Sequence, residues 1–274
     1  MAINITFSED AALALSIARD FLLTQPVRHN LILSLLNARI MYPEPGRYWV
    51  AAQDQEILGV MLQSPLTFAA VLTPMKPIVI AALVDTIVDA GIGLPGVNGE
   101  AATAASFAGH WAERRRSPAV PFQGMRLYEL ADLKRIGIID GQLRQAASVD
   151  RALLIDWVRA FNAETEGDAS DPEPLVDRWL AVGQLWLWDN GKPMSMAVAR
   201  QPVGGVSRLS GVYTPAESRG LGYAAACVYG LSKSLREAGY RCVLYTDLGN
   251  PTSNSIYRRL GYKAVAENLR YRFD

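Results

Sequence analysis

The stretch Ser207-Arg-Leu-Ser-Gly-Val-Tyr-Thr-Pro-Ala-Glu-Ser-Arg-Gly-Leu-Gly-Tyr-Ala-Ala-Ala-Cys227 decides how this chain is read. Ser207–Thr214 alternates polar and apolar residues as a strand does, and Pro215 ends it. Gly222–Ala238 has the pattern of a helix, closed by Gly239. A glycine-rich loop between a strand and a helix start offers several backbone N–H groups that have no partner within the helix, and the helix dipole adds positive potential there. Phosphate and pyrophosphate groups bind at such places. Gly220 and Gly222 remove the Cβ atoms that would keep an anion from the backbone. Ala224, Ala225 and Ala226 let the helix lie close on a sheet.

Outward from this loop the chain alternates strands and helices. Gln184–Asp189 and Met194–Arg200 form a hairpin around Asn190-Gly191, the strongest two-residue hairpin signal. Before it come a short strand (Gly141–Ala147) and two helices (Asp150–Ala163 and Pro174–Val182). After the loop helix come a strand at Cys242–Asp247, a helix at Thr252–Leu260, and a last strand after Gly261. The first half runs in the same order. It has a hairpin (Arg47–Gln53 and Ile57–Gln63), a strand (Ala69–Thr73), a helix (Ile78–Ala90) closed by Gly91, a helix (Ala101–Arg116) and a strand (Met125–Leu130). Val71-Leu-Thr-Pro74 matches Val212-Tyr-Thr-Pro215, and Asp89-Ala-Gly91 matches Glu237-Ala-Gly239. The shared order favours an internal duplication. We therefore expect an α+β fold with mixed sheets, divided into residues 1–135 and 136–274.

Composition narrows the function by exclusion. The chain has 274 residues, 27 basic against 27 acidic, and the charges also cancel within each half. No basic half exists to drive nucleic-acid binding. Its two cysteines (Cys227, Cys242) and two histidines (His29, His110) form no metal-ligand spacing, so no metal is expected and both thiols read as buried and reduced. The N-terminal Met-Ala-Ile-Asn-Ile-Thr-Phe-Ser-Glu-Asp has acids where a signal peptide has basic residues. The most apolar run (Pro77–Gly93) contains Asp85 and Asp89 and is too short to span a bilayer. A cytoplasmic location with no membrane partner is the expectation; a homodimer stays open.

Two parses compete for the loop. Gly220-x-Gly222-x-x-Ala225 fits the dinucleotide fingerprint, but that reading wants an acid about 20 residues on at the next strand end. Tyr240 and Arg241 stand there, and too little chain follows for a nucleotide-binding fold. The other parse is Arg219-x-x-Gly222-x-Ala224. With it, the segment from about Trp186 to Arg272 resembles the GCN5-related N-acetyltransferase (GNAT) family, whose acyl-CoA signature is R/Q-x-x-G-x-G/A. Asn250-Pro-Thr-Ser-Asn254-Ser-Ile-Tyr257-Arg-Arg-Leu260-Gly-Tyr262 resembles the family's second signature, N-x-x-(A/S)-x-x-x-Y-x-x-L-G-(F/Y). The wording is closest to the FR47-like branch, which includes glycine N-acyltransferase-like C-terminal domains.

The resemblance implies tandem GNAT-like domains, each a mostly antiparallel twisted sheet flanked by helices, of which the second transfers an acetyl group from acetyl-CoA to a primary amine of a small molecule or amino acid. Arg219, Gly220, Leu221, Gly222, Tyr223 and Ala224 would hold the pyrophosphate. Val212, Tyr213 and Thr214 would align the pantetheine arm and carbonyl. Tyr257 would protonate the leaving thiolate, and Asn250 or Asn254 would hydrogen-bond the cofactor or a water. Asn250 and Tyr257 are seven residues apart, near two helical turns, and so share a face. Plainer readings stand beside these: a core tyrosine at Tyr257 and a helix N-cap at Asn250.

No histidine follows His110, so the base must be a carboxylate, a water chain or nothing. Glu164, Glu166 and Asp168 are candidates, with Asp247. The stretch Glu164–Glu173 holds five acids in ten residues and is read as the rim that attracts a cationic amine. In the first half the equivalent loop, Thr73-Pro-Met-Lys-Pro-Ile78, lacks the arginine and both glycines, and Pro77 removes an amide. That half reads as a degenerate copy that binds no CoA. Two alternatives remain: a non-catalytic acyl-CoA-binding sensor, and an aminoacyl-tRNA-dependent transferase with two such domains.

Overall fold

The computed structural model describes residues 2–165 and 171–274. In chain order its elements begin with β1 (Asn4–Ser8), α1 (Ala11–Thr24), α2 (Asn30–Met41), β2 (Arg47–Gln53), β3 (Glu56–Gln63), β4 (Ala70–Leu72), α3 (Pro77–Asp89), β5 (Gly96–Glu100), α4 (Ala101–Arg115) and β6 (Ala119–Leu130). There follow β7 (Gln142–Gln145), α5 (Arg151–Glu164), α6 (Glu173–Ala181), β8 (Leu185–Asp189), β9 (Pro193–Ala199), β10 (Val206–Tyr213), α7 (Tyr223–Glu237), β11 (Arg241–Asp247), α8 (Pro251–Leu260) and β12 (Tyr262–Phe273). Two compact units result. One comprises Met1–Leu127, Thr246–Asn250 and Ala264–Asp274, the other Tyr128–Tyr245 and Pro251–Lys263. No helix among the described residues is long and apolar enough to cross a membrane.

In the first unit the strand order is β1-β2-β3-β4-β5-β12. Neighbours are antiparallel except β4 and β5, which run parallel. Asp10 starts α1 by accepting the N–H groups of Ala12 and Leu13, the usual cap that satisfies orphan amides. The β2–β3 turn places Asp54 and Gln55 at φ 49° and 73°, as a two-residue hairpin turn requires. β12 returns from the chain's end to pair with β5 through Gly96. A Cβ at Gly96 would lie 2.1 Å from the Tyr271 carbonyl oxygen, so glycine permits that approach. The core between α3, α4 and the sheet includes Trp49, Met61, Ile80, Leu83, Phe107, Trp111 and Phe273.

The second unit repeats the plan. Its order is β7-β8-β9-β10-β11, with β10 and β11 parallel and the other neighbours antiparallel. The β8–β9 hairpin turns at Asn190 and Gly191, the latter at φ 74°. Strand alternation divides its core into two layers. On one face, Cys227, Val228 and Leu231 of α7 pack on Ala197, Ala199 and Leu209. On the other, Leu154 and Val158 of α5 and Val176 and Trp179 of α6 pack on Leu185, Leu187, Met196 and Val198. Each fully buried Leu or Val contributes about 1.5–3 kcal/mol relative to exposure. The mixed α/β fold, with a mostly antiparallel sheet flanked by helices, is thus present in both units.

Candidate functional site

The site is built on the end of β10. The parallel β10–β11 ladder runs from Val206↔Arg241 to Leu209↔Leu244 and goes no farther among the described residues, although both strands continue. Beyond Leu209 the strands part. On its other edge β10 carries a bulge against β9, because Ser210 pairs with Val198 but the next registered pair is Tyr213 with Met196. Gly211 adopts φ 56° within that bulge, a left-handed conformation that a glycine accepts without strain. Ser195 fixes the strand's exit by donating its hydroxyl to the Tyr213 carbonyl at 2.9 Å, and Thr214 Oγ1 donates to Ser195 Oγ at 2.9 Å.

After Pro215 a short 3-10 turn (Ala216–Ser218) leads into the glycine loop. Gly220 and Gly222 take φ 76° and 87°, and α7 begins at Tyr223 with no side-chain cap. Its first amides have no acceptor within the helix. Arg219, Gly220, Leu221 and Gly222 are exposed, so the loop is open to a ligand. Ile139 lies close by, since a Cβ at Gly222 would come within 2.8 Å of its Cδ1.

Arg219 is held within this loop. Its Nε donates to the Thr214 carbonyl at 2.9 Å, and its Nη2 donates to both carboxylate oxygens of Glu164 at 2.7 and 2.8 Å. The Glu164 carboxylate raises the guanidinium's pKa further. Glu164 itself is the last residue of α5, not part of the following loop, because α5 extends one residue beyond the sequence expectation. Glu166 and Asp168 lie outside the described residues. Glu173 is engaged elsewhere, with Asp177, by Arg151.

Tyr257 and Asn254 stand one turn apart on α8, and both are buried. The Tyr257 ring packs against Tyr128 and Tyr262 with centroids at 6.4 and 6.0 Å. Val212 packs on the same cluster, which joins the tyrosine to the end of β10. The Tyr257 phenol lies among these buried groups. Burial, with Cys227 beside it, pushes its pKa up to about 12. Asn254 Oδ1 accepts from the Tyr128 hydroxyl at 3.0 Å. Asn250 is exposed, belongs to the first unit, and donates its N–H to the Asp247 carbonyl at 3.1 Å.

Other sequence readings also find their places. Cys227 and Cys242 are buried thiols. Trp186 and Trp188 pack on the α7-side core. Arg114, in the last turn of α4, pairs with Asp85 and Asp89 of α3. In the first unit, Met75 fills the space beside Gly59 and its N–H donates to Thr103 Oγ1, while the loop equivalent to 219–224 lines a cavity of about 330 Å³ with Leu58, Pro74, Lys76 and Val79. No group of three His, Cys, Asp or Glu side chains among the described residues is arranged to hold a metal. Arg200 and Arg208, which the sequence reading passes over, lie on the α5/α6 face next to the bulge.

The chain's likeness to known proteins agrees with this geometry. Residues 192–271 match the family described as FR47-like protein. No curated protein matches the chain. Among solved structures, a GNAT-family acetyltransferase from Colwellia psychrerythraea is 13% identical with a TM-score of 0.64, covering 99% of this chain and 100% of that one. A GCN5-related N-acetyltransferase from Sphaerobacter thermophilus is 16% identical with a TM-score of 0.61, covering 98% and 95%. A tandem GNAT protein from the clavulanic acid biosynthesis pathway is 9% identical with a TM-score of 0.58, covering 98% of each chain. The segment 192–271 thus carries the FR47-like match, and the chain as a whole has the fold of GNAT acetyltransferases, a tandem GNAT protein among them.

Proposed function

We propose that this protein is an acyl-CoA-dependent N-acetyltransferase whose second unit transfers an acetyl group from acetyl-CoA to a primary amine. One observation carries the reading. The parting of β10 and β11, the bulge at Gly211 and the uncapped glycine loop before α7 all lie on one short segment. Arg219 and the amides of 220–224 hold the pyrophosphate, with fixed partial charges at the start of α7. The bulged backbone of Val212 and Tyr213 runs beside the pantetheine arm and aims a donor at the thioester oxygen, where charge develops as the amine attacks.

The nucleophile must be neutral, so the reaction is favoured by neutral to alkaline pH. Tyr257 must still carry its proton there. A phenol with its pKa pushed up to about 12 does so and can donate to the leaving sulfur. Glu164 is occupied by Arg219, and an incoming pyrophosphate competes for that guanidinium. On this reading cofactor binding frees Glu164 to accept the amine's proton through a chain of waters. Transfer is direct, with no acyl-enzyme.

Release of free thiol from acetyl-CoA across a library of amines tests the activity. Tyr257→Phe then separates an enzyme from an acyl-CoA sensor. The enzyme loses kcat by about 10²–10⁴-fold, the span of general acid catalysis, and keeps its affinity for CoA. A sensor shows no turnover in either form.

A further inference from the structure

Ser195 is the only polar side chain in β9, and it is 0% exposed. A hydroxyl taken out of water costs free energy unless it is hydrogen-bonded. Here both its proton and its oxygen are used. It donates to the Tyr213 carbonyl and accepts from the Thr214 hydroxyl, each at 2.9 Å. Both partners stand at the end of β10, where the strand leaves the sheet.

At this end of β10 the ladder bonds give out. The register with β9 slips between Ser210 and Tyr213, the pairing with β11 stops at Leu209, and Gly211 stands at φ 56°. A glycine within a bulge lets the peptides that follow it turn over at little cost. Two contacts remove that freedom at Tyr213. Its ring is buried on the α5 side against Trp157, with centroids at 6.0 Å, and its carbonyl is tied to Ser195.

The consequence falls on the next residue. A trans peptide is planar, so its C=O and N–H point in opposite directions. With the Tyr213 carbonyl turned to Ser195 on the β9 side, the Thr214 N–H of the same peptide is turned to the other side, where β11 has parted from β10. The Thr214 carbonyl is held in its turn by Arg219 Nε at 2.9 Å. Thr214 is therefore fixed from both directions, and it is half-buried, open enough for its N–H to meet a ligand. It lies two residues beyond Val212, about 7 Å along an extended strand. That places its N–H between the thioester end of the site and the glycine loop, alongside the amide-bearing arm of the cofactor.

We infer that Ser195 is a positioning residue of the acyl-CoA site: with the Thr214 hydroxyl it holds the Tyr213–Thr214 peptide so that the Thr214 N–H donates to an amide carbonyl of the pantetheine arm. The inference rests on the acyl-CoA reading of the second unit. The contact is remote from the reacting carbonyl, so it strengthens binding equally in the ground and transition states.

Titration calorimetry with CoA and with 3′-phospho-ADP, which keeps the pyrophosphate but lacks the arm, tests this. Ser195→Ala is expected to weaken CoA binding about three- to tenfold, the effect of losing one hydrogen bond, with the affinity for 3′-phospho-ADP unmoved. In turnover the acetyl-CoA KM should rise by the same factor while kcat falls by no more than about twofold. Thr214→Val should also weaken CoA binding, and Thr214→Ser, which keeps the hydroxyl, should bind CoA more tightly than Thr214→Val. Adding Thr214→Val to Ser195→Ala should cost less than the two single effects combined, because both act on one peptide. Equal weakening of CoA and 3′-phospho-ADP would mean that the loop as a whole has loosened, and would overturn the assignment. CoA affinity unchanged in Ser195→Ala would overturn it too. If Ser195→Ala does not fold, the two Thr214 variants decide, and equal CoA affinities for them would count against it. A wild type that binds neither ligand fails the acyl-CoA reading, and this assignment with it; a wild type that binds CoA no better than 3′-phospho-ADP overturns the arm contact alone.

Discussion

Glu164 grips Arg219 by both of its carboxylate oxygens, at 2.7 and 2.8 Å, across the mouth of the glycine loop. Both side chains are about half exposed, so the pair is worth about 0.2–1 kcal/mol. On the proposed function an incoming pyrophosphate competes with it. Glu164→Gln is therefore expected to tighten acetyl-CoA binding by about two- to fivefold, measured by titration calorimetry at low salt, while slowing turnover. Weaker acetyl-CoA binding in this variant would contradict the competition.

The loop's glycines differ in what surrounds them. Gly222→Ala meets both a left-handed φ of 87° and Ile139 Cδ1 at 2.8 Å, whereas Gly220→Ala, at φ 76°, meets open space. A non-glycine residue forced into this region costs about 1–2 kcal/mol. Gly222→Ala should lower the Tm more than Gly220→Ala, and both should weaken acetyl-CoA binding. Equal Tm losses would mean that Ile139 yields without cost.

Asp150 anchors the start of α5. It is 6% exposed, accepts two hydrogen bonds from Arg144 at 2.7 and 2.8 Å and one from the Ala147 N–H, and Arg144 also reaches Asp189 at 2.7 Å. Arg144 holds the Asp150 carboxyl below its usual range. With the folded pKa depressed, the stabilisation is present above the unfolded value near 3.8 and is lost as pH falls through the folded one. Arg144→Met is expected to cost about 2–4 kcal/mol, less than a fully buried pair because the arginine is partly solvated. Urea melts at pH 7 and pH 3 should show this difference shrinking at the lower pH.

The alkaline limb follows from Cys227, Cys242 and Tyr257, whose pKa values burial pushes up to about 12. In the unfolded chain these groups ionise near their ordinary values, about 8.5–10. Between those values and about 12 the folded state binds more protons than the unfolded one, so stability declines as pH rises. The Tm should fall from about pH 9 upward, and Cys227→Ala should make the fall shallower. A Tm that stays level from pH 8 to 11 would contradict this.

How much of this was legible in the sequence depended on how local each signal was. Asn190-Gly191 fixed its hairpin because the turn needs positive φ. The strand, proline, glycine loop and helix of 207–238 were legible because each boundary has its own breaker. β5 was not, since Gly96-Val-Asn-Gly-Glu100 has little strand propensity and exists because glycine lets the Tyr271 backbone approach. The return of β12 to the first unit is a long-range pairing with no local mark. The Glu164–Arg219 pair joins residues far apart in sequence. Ser195 was passed over because one hydroxyl in an apolar strand carries no motif, and only the fold brings it against the Tyr213 carbonyl.

The central claim is that the second unit, and not the first, receives acyl-CoA on the loop before α7. Amide hydrogen exchange with and without acetyl-CoA measures this residue by residue. New protection is expected at 219–225, extending back along 210–214, with residues 73–78 of the first unit unchanged. Protection at 73–78, or none at 219–225 under saturating acetyl-CoA, would contradict it.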